Sequence, residues 1–232
     1  MIIPEKIRRI LFNELNRNHE RIIELSKKYF TKKNQKLLDL GSGSGNLLKR
    51  VCEETKIPVK NAWATDVLPH YIKSCKKHGF NTKSFDLNEK FPFKDKTFDY
   101  IIANQVIEHL YFTDHFIEEI HRLLKTGGVV ILSSTNLAAI HSRIILLLGY
   151  MPNSLHPSRN IVGTLIKKQG GNPLYGHKSV FTGKALKQFV KVHKFKILLY
   201  ETQSIILTPD FLSKILCKVF DWGTHVNIVA KK

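Results

Sequence analysis

Three glycines and three carboxylates carry the first chemical signal. In Leu37-Leu38-Asp39-Leu40-Gly41-Ser42-Gly43-Ser44-Gly45-Asn46-Leu47-Leu48 an apolar run of strand length bears a carboxylate, passes three alternate glycines and resumes as a helical pattern, so it reads as strand, tight turn, helix. Glycine lets the backbone turn sharply and lets a ligand approach it, because no Cβ stands in the way. A dinucleotide fingerprint would put its third glycine one residue later, at Asn46, and would keep the loop free of negative charge so that a pyrophosphate could sit on the helix N-terminus. Asp39 beside the loop suits a cationic ligand better. Asp66 follows Gly45 by 21 residues and ends the run Ala62-Trp63-Ala64-Thr65. A carboxylate there can accept both hydroxyls of a ribose lying across the sheet edge, or can cap a helix starting near Leu68-Pro69. Asp86, twenty residues further on in Ser84-Phe85-Asp86-Leu87, again stands where a strand should end.

This combination resembles the first motif of the class I S-adenosylmethionine-dependent methyltransferases, whose cofactor has an ammonium, a sulfonium and no phosphate. Phe91 to Asn104 closely resembles that family's approach to its fourth strand, and Leu124-Lys125-Thr126-Gly127-Gly128 its usual join between helix and fifth strand. The resemblance runs unbroken from residue 37 to 136 and more loosely over 20–232. It implies S-adenosyl-L-methionine as cofactor, held by Asp39, Gly41, Ser42, Gly43 and Gly45, with Asp66 and its neighbour Val67 at the ribose. It further implies that Asp86 accepts a hydrogen bond from the adenine amino group, that the Leu87 backbone completes the adenine edge, and that the Asn104 carbonyl holds the ammonium.

After the fourth strand comes Gln105-Val106-Ile107-Glu108-His109-Leu110. In small-RNA 2′-O-methyltransferases and some quinone-biosynthesis O-methyltransferases a similar run, preceded by Glu, supplies carboxylate and imidazole ligands to a divalent metal. Gln105 stands in that preceding place, which weakens the charge complement a hard cation needs. Glu108, His109 and a distant His177 could still form a reduced site, but no residue is assigned as a metal ligand. His109 otherwise reads as a structural helix residue or as a general base. His177, in Gly176-His177-Lys178, is a second candidate base, since imidazole titrates near neutrality.

These residues need a frame. Strand and helix patterns alternate as a doubly wound α/β fold requires, here a mostly parallel seven-stranded sheet of Rossmann-like type, with an antiparallel last strand from His225 to Ala230 and a helical or loop cap. The third strand is expected over Asn81–Asp86. A helix is expected from Thr113 to Leu124 with Thr113 as N-cap, another with Thr182 as N-cap, and a last one over 208–220. Ile7, Ile10, Leu11, Leu15, Ile22, Leu25 and Tyr29 make residues 5–30 an amphipathic helix with a basic outer face. A short apolar helix from Ala139 to Leu148 precedes a Pro-, Gly-, Asn- and His-rich loop from Met151 to His177, read as the acceptor cap or as a solvent loop. The chain thus divides into an N-terminal helix (1–36), a cofactor-binding core (37–136), a cap (137–181) and the remainder of the same α/β domain (182–232).

Charge is unevenly distributed. The formal net charge is +18, yet residues 37–136 are nearly neutral, whereas residues 137–200 hold ten Lys or Arg and no acid. Such a field favours an anionic partner: lipid headgroup, phosphorylated sugar or nucleic acid. Cys52, Cys75 and Cys217 match neither a zinc pattern nor a disulfide framework, and the start turns charged at once, so a reducing cytosol and no signal peptide are expected. The apolar run near Ile144–Met151 is too short to span a bilayer. The expected function is methylation, on oxygen, of a small or lipid- or sugar-linked anionic acceptor, with peripheral contact to an anionic membrane open. An RNA methyltransferase and a non-catalytic cofactor-binding protein are the alternatives; against RNA, no Asn-Pro-Pro-Tyr-like run follows the fourth strand, where Asn104-Gln105-Val106-Ile107 stands.

Overall fold

A computed structural model describes residues 5–32, 34–152, 154–155, 162–165, 176–205 and 208–232, with backbone alone for residues 5–15 and 210. Among the described residues one sheet contains all seven strands, β1 (Leu37–Leu40), β2 (Ala62–Thr65), β3 (Asn81–Lys83), β4 (Phe98–Asn104), β5 (Leu124–Thr135), β6 (Lys196–Gln203) and β7 (His225–Lys231), in the order β3-β2-β1-β4-β5-β7-β6. The first five are mutually parallel, and β7 lies antiparallel between β5 and β6, as expected from the sequence. Around them run α1 (Glu5–Tyr29), α2 (Asn46–Thr55), α3 (Pro69–Lys77), α4 (Thr113–Leu123), α5 (Ile140–Leu147), α6 (Gly183–Val192) and α7 (Asp210–Phe220).

The central strands are apolar on both sides because helices cover both faces. Leu38, Leu40, Ile101, Ala103 and Val130 pack with Phe116 and Ile120 of α4 and Leu186 of α6. The alternate residues Leu37, Tyr100, Ile102 and Ile131 pack on the opposite face with Ile22 and Leu25 of α1 and Leu48 and Val51 of α2. The two-residue period of each strand therefore feeds two cores at once. Cys52, Cys75 and Cys217 are buried, and none of them is in a disulfide. The inward residues Ile22 and Leu25 of the first helix are where the periodicity put them, while the side chains of Ile7, Ile10, Leu11 and Leu15 lie outside the described residues. So does most of the loop from Met151 to His177.

Two local expectations are corrected. The third strand ends at Lys83, not Asp86, because Phe85 turns back to pack its ring against Phe91 and Phe93, at centroid distances of 5.2 and 5.9 Å. Thr113 is the first residue of α4 rather than its N-cap; the chain before it is held instead by Asn88, whose Oδ1 accepts the Tyr111 and Phe112 N–H groups at 2.9 and 3.3 Å. Thr182 does cap α6, accepting the Ala185 N–H at 3.2 Å.

Candidate functional site

Register brings the first cluster together. Leu40 lies beside Thr65 on one side and Ala103 on the other, so Gly41, Asp66 and Asn104 leave the sheet at the same level, at the carboxyl ends of β1, β2 and β4. This is the edge where open α/β sheets bind their ligands.

The three glycines are needed for three reasons. All have positive φ, +69° at Gly41, +52° at Gly43 and +82° at Gly45. A Cβ on Gly41 would lie 2.6 Å from Val106 Cγ2, and one on Gly45 would lie 3.0 Å from Cys75 Sγ, so both admit neighbouring protein. A Cβ on Gly43 would meet nothing within 4 Å. Gly43 therefore faces open space at the tip of the turn, a cradle that a side chain would fill. The loop is fastened from below: Ser42 donates its hydroxyl to the Asp39 carbonyl (2.9 Å) and accepts the Thr65 N–H (3.0 Å). Asp66 accepts the Gly43 N–H (3.0 Å) through one oxygen and the Leu68 N–H (2.9 Å) through the other. Asp66 is therefore not the N-cap of α3, a place taken by Leu68; it ties the chain leading into that helix to the glycine loop.

Asp39 sits beneath the turn and is 2% exposed. Burial, with the Asp66 charge adding to it and the Ser42 hydroxyl pulling the other way, pushes its carboxyl up to about 7. A buried carboxyl so poised is stabilised in its charged form by a cation brought beside it. Next to Asp66, Val67 is exposed at 58%. Asp86 is exposed, its Oδ1 accepting the Asn88 N–H (2.8 Å) and side-chain amide (2.9 Å), and Leu87 is half-buried behind it.

Asn104 is engaged from an unforeseen direction. Asn18 of α1, fully buried, donates its amide to Asn104 Oδ1 at 2.8 Å and to Ser133 Oγ at 3.2 Å. The sequence did hold a signal: Asn18 lies four residues before Ile22 and seven before Leu25, a polar residue on the inward face of an amphipathic helix.

A second cluster follows β4. Gln105 turns the chain with a φ of +56° and donates its backbone N–H to the Ser133 carbonyl at 2.9 Å. With its side-chain nitrogen toward Glu108, Gln105 donates to Glu108 Oε1 at 3.1 Å, and its oxygen accepts from Ser133 Oγ at 3.0 Å. Glu108 is buried, accepts the Ser134 hydroxyl at 2.9 Å, and is pushed up to about 7 by that burial against the hydrogen bonds it accepts. Its backbone carbonyl accepts the Lys178 and Ser179 N–H groups at 2.6 and 3.1 Å. That pairing docks residues 176–179 on the short helical turn Ile107–His109 and brings His177, 68 residues away in sequence, against His109. The two imidazoles meet edge to face with centroids 5.0 Å apart. His109 Nδ1 lies 3.4 Å from the Gly176 carbonyl, and His177 Nδ1 lies 3.0 Å from the Ser154 carbonyl. Burial lowers the pKa of His109, partly opposed by the Gly176 contact. One ligand atom from each of Glu108, His109 and His177 lies within 4.8 Å of the others.

Comparison with known proteins gives the family. Residues 31–172 match the family described as methyltransferase domain. The chain belongs to that family. Its members use S-adenosyl-L-methionine, and the features above fit that cofactor: an unfilled cradle at Gly43, a buried carboxyl suited to a cation, and a strand-end carboxylate at Asp66. The chain is 30% identical to norajmaline N-methyltransferase of Rauvolfia serpentina over 111 residues, 45% of this chain and 37% of that one. It is 33% identical to a ubiquinone biosynthesis O-methyltransferase of Pelagibacter ubique over 108 residues, 45% of this chain and 43% of that one. A mitochondrial arginine-hydroxylase of Mus musculus is 28% identical over 95 residues, 40% of this chain and 27% of that one. Each alignment spans less than half of the curated relative it matches. Among solved structures, a SAM-dependent methyltransferase of Archaeoglobus fulgidus superposes with a TM-score of 0.60, covering 96% of this chain and 98% of that one at 18% identity, a likeness of fold. The relatives' names include nitrogen and oxygen methylation and a hydroxylation, so the acceptor has to be argued from the site.

Proposed function

We propose that this methyltransferase methylates a hydroxyl oxygen of a small or lipid- or sugar-linked anionic acceptor, with His109 as general base and His177 as its partner. The observation that carries the reading is the packing of these two imidazoles against each other beside buried Glu108. In this reading Asp39, Gly41, Ser42, Gly43, Gly45, Asp66, Val67, Asp86, Leu87 and Asn104 form the cofactor cleft. When bound, S-adenosyl-L-methionine supplies a methyl group made electrophilic by its sulfonium. The protein's main task is then to hold the acceptor oxygen in line and to exclude water. A hydroxyl must lose its proton as it becomes an ether oxygen, and a His109 kept neutral by burial is able to receive it. The cap residues 137–181, within the stretch that holds ten basic residues and no acid from 137 to 200, attract the acceptor's anionic group.

The test is formation of S-adenosylhomocysteine with a panel of anionic hydroxylated acceptors set against amine acceptors. Turnover confined to amines would refute oxygen methylation; no turnover with any acceptor would favour a non-catalytic cofactor-binding protein.

A second reading rests on the same 4.8 Å grouping, which could instead hold a divalent cation that positions the acceptor hydroxyl. Gln105, in donating to Glu108, contributes no negative charge to such a site. Calorimetric titration with magnesium and manganese separates the two readings: saturable binding abolished by His177→Ala supports the cation, and its absence supports the base.

A further inference from the structure

Helices α5 and α7 are packed inside out. An ordinary surface helix turns its large apolar residues to the core. In α7 the residues turned inward are Ser213 and Cys217: the Ser213 hydroxyl accepts the Ile205 N–H at 2.8 Å, and the Cys217 carbonyl accepts the Thr202 hydroxyl at 3.1 Å. Turned outward at intervals of four are Phe211, Ile215 and Val219, exposed at 70%, 57% and 64%. In α5 the buried residue is Ser142, while Ile144 and Leu147 are exposed at 51% and 87%, as is Leu148 just beyond the helix.

The start of α5 adjoins the chain just past the end of α7. The Ile140 N–H at the start of α5 donates to the Trp222 carbonyl at 3.1 Å, and the Asn136 side-chain amide donates to the Asp221 and Gly223 carbonyls at 2.9 and 2.8 Å. Ala138, Arg143, Phe220 and Asp221 line one shallow cleft between them. Topology puts both at the cofactor edge: α5 follows the carboxyl end of β5, and α7 precedes β7, whose first residue, His225, pairs with Thr135 at that end.

Large apolar side chains exposed together along two helices call for a partner. Charge selects which. Lys214 and Lys218 are exposed on α7 and Arg143 on α5, with Asp210 and Asp221 at the two ends of α7, and the whole chain carries a formal net charge of +18. Two copies of so basic a chain repel each other, whereas an anionic bilayer offers an apolar layer beneath a layer of countercharge. We propose that α5 and α7 form a docking surface for an anionic lipid bilayer, with Phe211, Ile215 and Leu147 entering the interface and Lys214 and Lys218 at the headgroups. This surface stands on the two helices and does not depend on which acceptor is methylated. Docking there would turn the carboxyl edge of the sheet toward the membrane.

The test is flotation of the whole protein with vesicles of phosphatidylcholine alone or with phosphatidylglycerol added. Binding is expected to the anionic vesicles, at least roughly tenfold weaker to neutral ones, and to fall as salt is raised. The Phe211→Ser/Ile215→Ser and the Lys214→Glu/Lys218→Glu variants, each shown by thermal melting to remain folded, should each lose binding about tenfold or more. Absence of binding to anionic vesicles would overturn the proposal. So would equal binding by the serine variant, which would mean charge alone, and so would a dimer in sedimentation equilibrium that Phe211→Ser dissociates, which would mean a second copy covers the face.

Discussion

Asn18 and Asn104 are joined by a 2.8 Å hydrogen bond that ties the middle of the N-terminal helix to the carboxyl end of β4. The bond is inaccessible to water on the Asn18 side, so its partners depend on it. Asn18→Leu should cost about 1–3 kcal/mol, because the Asn104 and Ser133 oxygens would lose a buried donor. Urea denaturation reads the loss. The same variant should weaken S-adenosyl-L-methionine binding, since Asn104 would be free to rotate at the cleft.

The glycine loop offers an internal control. Gly41→Ala would drive a Cβ into Val106, so it should destabilise the fold by about 1–3 kcal/mol, with the left-handed backbone adding to the cost. Gly43→Ala meets no protein atom and carries only the backbone strain of about 1–2 kcal/mol, yet it fills the cradle. Gly43→Ala should therefore lose more cofactor affinity than stability, and Gly41→Ala the reverse. Melting and calorimetry on the two variants check the contrast.

Asp39 should report cofactor binding as proton release. Its carboxyl lies at about 7 without ligand, and a neighbouring cation favours the charged form. Near pH 7 binding then expels a fraction of a proton, and affinity falls as pH is lowered below 7. Calorimetry in buffers of different ionisation enthalpy measures this directly; Asp39→Asn should abolish the buffer dependence. In the unliganded protein the raised value has the opposite consequence, with stability present below the ordinary carboxyl value of 3.8 and lost as pH rises through about 7.

His109→Gln should lower kcat by roughly 10²–10⁴, the usual contribution of a general base, while leaving cofactor affinity intact. His177→Gln should shift the pH profile of kcat with a smaller loss. A His109→Gln enzyme with unchanged kcat would remove the imidazole from the chemistry.

His225 works against stability in acid. It is buried, and burial, with His141 and His19 adding their charge, drives its pKa from 6.5 to about 4. The unfolded chain takes up a proton that the folded chain refuses, so the His225 contribution falls as pH drops from 6.5 to about 4, by about 3 kcal/mol at the lower limit, against the opposite contribution of Asp39. Replacing His225 with Asn should flatten that part of the pH–stability curve.

The sheet was legible because its strands are short apolar runs separated by turn residues, and the run before Asp39 or Asp66 needs no tertiary knowledge to be recognised. Thr182 was legible for a similar reason, since a cap acts within three residues. Thr113 failed because the local rule was overridden by Asn88, 25 residues earlier, which held the preceding backbone instead. The end of β3 failed because aromatic packing drew Phe85 inward. His177 was recognised by residue type, but its approach to His109 rests on two backbone bonds to the Glu108 carbonyl, which no side-chain pattern announces. Asn18 was passed over because a polar residue among apolar ones reads as noise until its partners are known.

Strand β7 sits in the interior of the sheet although it comes last of the seven in the chain. Every one of its residues from His225 to Ala230 is buried. During synthesis β1 to β5 can pair as soon as they emerge, but β5, with Val129 to Leu132, keeps an open apolar edge until more than ninety further residues have been made. For that interval the growing chain carries an unpaired strand of the kind that templates aggregation, and β6 has nothing to pair with. Insertion of β7 has to follow the pairing of the earlier strands, and a nascent chain stalled before His225 should depend on chaperones more than the chain that carries β7.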